Sequence, residues 1–131
     1  MERDRSMPVT RVLVVDDSRE FAESVDTLLA EDPRLEVVGI AADGDEAVGL
    51  AASLQPDLVL MDIEMPRLDG VAATRAIRDC CPGARVVMLT GRQEREDELG
   101  SAWAGAVGFL RKDELASPHL ADSLLALVRL S

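Results

Sequence analysis

The sequence predicts a doubly wound α/β fold with a five-stranded parallel sheet in the order 2-1-3-4-5. Short β-branched apolar runs alternate along the chain with segments of helical period, giving five strands and five helices. The strand runs are continuously apolar, as expected of strands buried on both faces of a parallel sheet covered by its crossover helices. Right-handed crossovers and five strand–helix units suit that strand order. A chain of 131 residues makes one domain, able to bury about two-thirds of its unfolded surface without a metal or disulfide staple.

Residues 1–9 hold no apolar stretch and are read as a mobile tail, leaving 10–131 as the domain. Val12–Val15 is the first strand, ending in Asp16-Asp17, with Ser18 placed to cap the next helix. That helix sets Phe21, Val25, Leu28 and Leu29 on one face until Asp32-Pro33 stops it. Leu35–Ala41 is the second strand. Asp43-Gly44 turns into a helix with Ala47, Leu50, Ala51 and Leu54 inward, ended by Gln55-Pro56. The third strand, Leu58–Met61, runs into a carboxylate, Asp62, and Met65-Pro66 turns the chain. A helix follows from about Val71 to Cys80, with Val71, Thr74 and Ile77 on one side, until Pro82-Gly83. Arg85–Thr90 is the fourth strand. Residues 93–104 are helical in pattern but strongly polar. Val107–Leu110 is the fifth strand, and Leu120, Leu124, Leu127 and Val128 face inward from the last helix.

Composition excludes several functions. A net charge of −11 disfavours gripping nucleic acid, whose backbone needs Lys and Arg, and suits a cation site or a basic partner. Aromatics are only Phe21, Phe109 and Trp103, so the core is aliphatic. Adjacent Cys80 and Cys81 make at best a strained bridge and are read as reduced, inert thiols. No run is long enough to span a membrane and the start is no signal peptide, which together predict a cytoplasmic protein.

All strands of a parallel sheet point one way, so the ends of strands one, three, four and five share a rim. They bring Asp16 and Asp17, Asp62, Thr90 and Lys112 together; Lys112 is the chain's sole lysine beside thirteen arginines. Each has an ordinary reading alone: a helix cap, the last residue of a strand, a solvated surface charge. Their joint placement on the right four strands is what carries information, because open α/β sheets bind ligands at that edge.

These residues stand in motifs: Val14-Val15-Asp16-Asp17-Ser18, Leu60-Met61-Asp62-Ile63-Glu64-Met65-Pro66 with Asp69-Gly70, Leu89-Thr90-Gly91, and Gly105 to Asp113 with Phe109 and Lys112. The chain thereby resembles the receiver domain of bacterial two-component response regulators, over about residues 10–130, a flavodoxin-like (βα)5 fold. Lys112-Asp113 resembles the NarL/FixJ-type branch. The resemblance implies a phosphoprotein of phosphorelay signalling, in which Asp62 accepts a phosphoryl group from a sensor histidine kinase. It implies Mg²⁺ (or Mn²⁺) held by Asp16, Asp17, Asp62 and the main-chain carbonyl of Glu64. Asp17 and Asp62 are expected to bind directly and Asp16 mainly through water. Such a chain is no enzyme in the ordinary sense: it catalyses only its own aspartyl phosphorylation and dephosphorylation.

The chemistry agrees with the resemblance. Three carboxylates crowd one rim and repel, by about 1 kcal/mol per pair at 4 Å in water and more where partly buried, and a hard divalent cation with oxygen ligands removes the conflict. An ammonium acts as a compact point charge that Arg does not replace. Thr90 and Phe109 read as a switch, the hydroxyl turning to the phosphoryl group and the ring following it inward. The surface of the fourth helix, fifth strand and fifth helix would then change state; a plain core aromatic is the alternative for Phe109. Gly91 leaves the pocket more open than the family's usual Ala or Ser. Glu64 and Arg92 either pair across the entrance and tune phosphoryl lifetime or are two solvated side chains. Trp103 is read as an anchor on the output face, with a core role as the alternative. His119 is read as exposed at the start of the last helix.

The NarL/FixJ likeness implies transcription as output, through a C-terminal DNA-binding domain beyond Ser131; a stand-alone receiver is the other reading. It allows a homodimer on phosphorylation. Three other readings compete. A phosphorylation-independent interaction module is disfavoured by the intact constellation. A haloacid-dehalogenase-type hydrolase would carry Asp where Glu64 stands. A flavodoxin-like electron carrier needs a phosphate loop after the first strand, and flavin-stacking aromatics, that this sequence lacks.

Overall fold

The structure, a computed structural model, describes residues 8–62, 70–91 and 105–129. Its strands are β1 (Thr10–Val15), β2 (Leu35–Ala41), β3 (Leu58–Asp62), β4 (Arg85–Thr90) and β5 (Gly108–Arg111). They form one parallel sheet in the order β2-β1-β3-β4-β5. The helices are α1 (Arg19–Leu29), α2 (Gly44–Leu54), α3 (Gly70–Cys80) and α4 (Leu120–Arg129). The fifth expected helix, residues 93–104, lies outside the described residues, as do Glu64, Met65-Pro66, Arg92 and Trp103.

The alternation of strand side chains builds two apolar layers. Val12, Val14, Leu58, Leu60, Val87 and Leu89 face α1 and α4, meeting Ala22, Val25, Leu29 and Leu124. Leu13, Val15, Val59, Met61 and Val86 face the other way, toward Ala47 and Ala51 of α2 and Ala73 and Ile77 of α3. Small residues on α2 let it sit close to the sheet. At Gly108 a Cβ would meet Leu127 Cδ1 at 2.7 Å, so this glycine allows α4 its close approach to β5.

Local chemistry ends the elements where expected. Ser18 caps α1 by accepting from the Phe21 N–H, and Asp43 caps α2 by accepting from the Glu46 N–H. Gln55 closes α2 in the left-handed region at φ 50°. Three expectations shift. Leu28, expected inward, is 39 % exposed, because α1 turns Ala22, Val25 and Leu29 to the sheet and an eleven-residue helix on one layer buries only a narrow stripe. On α4 the buried residues are Leu120, Leu124 and Leu125, with Leu127 and Val128 only half-buried. The fifth strand begins and ends one residue later than expected, and a 3-10 helix, Lys112–Ala116, follows at once. Its Arg111 N–H donates to Glu114 Oε1 at 2.9 Å, a capping signal that the sequence reading passed over. His119 is exposed at the start of α4, and both cysteines are free.

Candidate functional site

The register of the sheet assembles the rim. Val15 pairs with Met61, so Asp16 and Asp62 are the next residues on neighbouring strands. Asp62 itself pairs with Leu89, one residue before Thr90, and Thr90 pairs with Arg111, one before Lys112. The residues expected at the site therefore step along the sheet edge together. Ligand oxygens of Asp16, Asp17 and Asp62 all lie within 4.8 Å of one another. Asp16 and Asp62 are each 1 % exposed, whereas Asp17 opens to solvent.

Two buried carboxylates at a core edge need partners. Asp16 has them: Oδ1 accepts from the Ser18 N–H at 2.8 Å and Oδ2 from Lys112 Nζ at 2.9 Å. Lys112 Nζ also lies 3.5 Å from Asp62 Oδ2. Burial by itself would lower the Lys112 pKa, but the hydrogen bond to Asp16 and the charges of Asp62 and Asp16 outweigh it. The ammonium is therefore held above its ordinary range. Lys112, expected to face Asp62, leans closer to Asp16, whose two oxygens are both engaged by protein.

A residue that sequence reasoning placed only on the apolar face of α1 belongs here too. Lys112 Nζ stands 4.4 Å from the centre of the Phe21 ring, a cation–π contact. A closed circuit results: Phe21 N–H to Ser18 Oγ, Ser18 N–H to Asp16, Lys112 to Asp16, and Lys112 over the Phe21 ring. The available signal was position, since Phe21 sits in the first turn of the helix that starts at the rim. Thr90 is fully buried at the end of β4 and Phe109 half-buried on β5, where it pairs with Met88. Gly91 is exposed, and among the described residues a Cβ there would meet nothing within 4 Å.

The donor set fits a small hard cation. All three groups offer oxygen, and two ligands on one Mg²⁺ stand at most about 4 Å apart, twice the bond length, near the spread seen here. A cavity of about 420 Å³ lies instead at the opposite edge of the sheet, lined by Pro8, Val9, Thr10, Arg34, Asp57 and Arg85 among others. The rim is marked by its charge and chemistry rather than by volume. Among the described residues, no helix is long and apolar enough to cross a membrane.

Comparison with known proteins agrees with this arrangement. The chain is 45% identical over 108 residues to protein-glutamate methylesterase/protein-glutamine glutaminase 1 of Geobacter sulfurreducens, a match covering 79% of this chain and 29% of that protein. The chain thus spans less than a third of this relative. The response regulator domain of Thermotoga maritima CheB superposes with a TM-score of 0.76 at 36% identity, covering 93% of this chain and 95% of that one. The receiver domain of the putative response regulator NarL from Mycobacterium tuberculosis gives 0.81 at 31%, covering 93% and 98%. Residues 12–124 match the family of the response regulator receiver domain, and with the five-stranded sheet and its acidic rim in place, this chain belongs to that family.

Proposed function

We propose that this chain is a phosphorylation-controlled switch whose acceptor is Asp62. One observation carries the reading: Asp16, Asp17 and Asp62 converge within 4.8 Å while the only lysine reaches both Asp16 and Asp62. Asp16, Asp17 and Asp62, with the Glu64 carbonyl, would hold Mg²⁺, which when bound supplies positive charge against the phosphoryl oxygens. An Asp62 carboxylate oxygen attacks the phosphorus of a phosphohistidine on a histidine kinase. The P–N bond breaks as the P–O bond forms, and the histidine ring leaves with the electron pair. Lys112, now held by Asp16 and Phe21, is placed to turn its ammonium to the incoming group. Thr90 and Phe109, buried and half-buried on the neighbouring strands, would carry the change toward β5 and α4.

The test is intact mass after incubation with Mg²⁺ and acetyl phosphate. One phosphoryl adduct is expected on the wild type and none on Asp62→Asn; an unmodified wild type returns the chain to the interaction-module reading.

For the output, the likeness to methylesterases, 45% identity over 108 residues to one of them and 36% to the CheB domain against 31% to the NarL receiver, favours control of a methylesterase over the transcription implied by the Lys112-Asp113 motif. Beryllofluoride, a phosphoryl mimic, should then change the affinity of this chain for an isolated methylesterase catalytic domain in a titration. Unchanged affinity returns the output to transcription.

A further inference from the structure

We propose that Cys80 and Cys81 form a bidentate site for a thiophilic centre, specifically a trivalent arsenical. Cys80 is the last residue of α3 and exposed; Cys81 follows it out of the helix and is 1 % exposed. The helical turn reaches Cys81 and the chain turns just beyond it. The Cys81 N–H still donates to Ile77 O at 2.7 Å, while the Ala84 N–H closes back on Cys81 O at 3.0 Å. Four residues after Ile77 on the same helical face, Cys81 joins the buried cluster that holds Ala73, Ile77, Ala84 and Val86. The Cys80 thiol leans back over the helix end, 3.6 Å from Ile77 O. The outcome is convergence: the two Sγ atoms stand 3.1 Å apart.

A second group points to the same place. Gln55, at the end of α2, directs its amide Nε2 at Cys81 Sγ from 3.5 Å, so a polar donor from another element faces the sulfur pair. Burial first, and the neighbouring Cys80 thiol second, push the Cys81 thiol up to about 11, with Gln55 opposing them. The Cys81 thiol is therefore protonated near neutral pH, and capture of a soft centre must release its proton.

Direct oxidation is the lesser outcome. Cα atoms joined by a trans peptide lie about 3.8 Å apart, closer than the roughly 4.4–6.8 Å that disulfides prefer. A single larger atom inserted between the sulfurs enlarges the ring and relieves that mismatch. With a monosubstituted arsenic oxide, two S–H bonds and the As=O bond break and two As–S bonds form. The two thiol protons leave with the oxygen as water, no electrons change hands, and no third ligand is needed. Cys80 offers the exposed point of entry, and Cys81 closes the chelate.

The chain holds only two cysteines, which makes the test unambiguous. The full chain is incubated with phenylarsine oxide and read by intact mass under non-denaturing conditions. A single stoichiometric adduct is expected, resistant to 2-mercaptoethanol, reversed by ethanedithiol, and lost in Cys80→Ser. That substitution is exposed and leaves the core intact, as circular dichroism would verify; Cys81→Ala is the second variant and should lose the adduct also. No adduct, an adduct stripped by the monothiol, one that survives in either variant, or a bridge between two copies of the chain would each overturn the proposal.

Discussion

At the amino edge of the sheet, Asp57 accepts from the Arg11 N–H at 2.9 Å. Arg34 bridges Asp32 at 2.7 Å and Asp122 at 2.9 Å. At the carboxyl edge, three carboxylates lie within 4.8 Å of one another, and the Lys112 ammonium reaches two of them, Asp16 and Asp62. The amino edge uses charge to tie β1 to the loop before β3, and the end of α1 to α4. Among the described residues, the carboxyl edge gathers its carboxylates within 4.8 Å of one another instead of spreading them between elements. Structure alone gives no reason for such crowding; a cation and an anionic group to be transferred do.

The contrast can be broken most directly at Asp62. Asp62→Asn should abolish the phosphoryl adduct in intact mass while leaving the protein folded. Lys112→Ala comes next. It leaves the buried Asp16 carboxylate without its ammonium and should cost roughly 1–3 kcal/mol in urea unfolding, with Lys112→Arg an incomplete rescue because the guanidinium is broader. Saturating Mg²⁺ should raise the stability of the wild type, by about 2.7 kcal/mol at a hundred times its Kd. The gain should vanish in Asp17→Asn, whereas the same ion should leave the effect of an amino-edge Asp32→Asn substitution unchanged.

Acid and alkali should separate the two edges. The hydrogen bond from Arg34 is the main reason the Asp32 carboxyl stays below its ordinary 3.8. Its contribution is present above that value and lost as pH falls through the lower folded one. Lys112 has the opposite sign: its pKa is raised above 10.5, so its contribution is full below about 10.4 and lost as pH rises through the folded value. Thermal melts across both ranges, with Asp32→Asn and Lys112→Ala as references, check the signs. The smallest effect is expected at Phe21. Phe21→Leu keeps an apolar side chain and removes the π face, costing about 0.5–1 kcal/mol. In protein labelled with ¹⁵N-lysine, it should shift the single side-chain resonance; an unmoved resonance breaks the link between α1 and the rim.

Much of this was legible beforehand. Continuous apolar runs such as Leu58–Met61 and Val86–Leu89 announce buried parallel strands, because only a strand covered on both faces forgoes polar alternation. Strand ends then follow, and with them Asp16, Asp62, Thr90 and Lys112. Leu28 was misplaced because a periodic pattern marks a face without telling how wide a stripe the neighbouring layer covers. The 3-10 helix after β5 was missed because its capping, Arg111 with Glu114, lies in the main chain and one side chain.

What the sequence determined by itself is the order of the elements, the aliphatic core and the identities of the rim residues, all set by patterns within a few residues of one another. Only the tertiary structure decided which partner each charge meets. It set Lys112 nearer Asp16 than Asp62, brought Phe21 under the ammonium from ninety-one positions away, and turned two adjacent thiols toward each other. Those choices depend on strand register, helix rotation and burial, which set distances between groups that local sequence cannot relate.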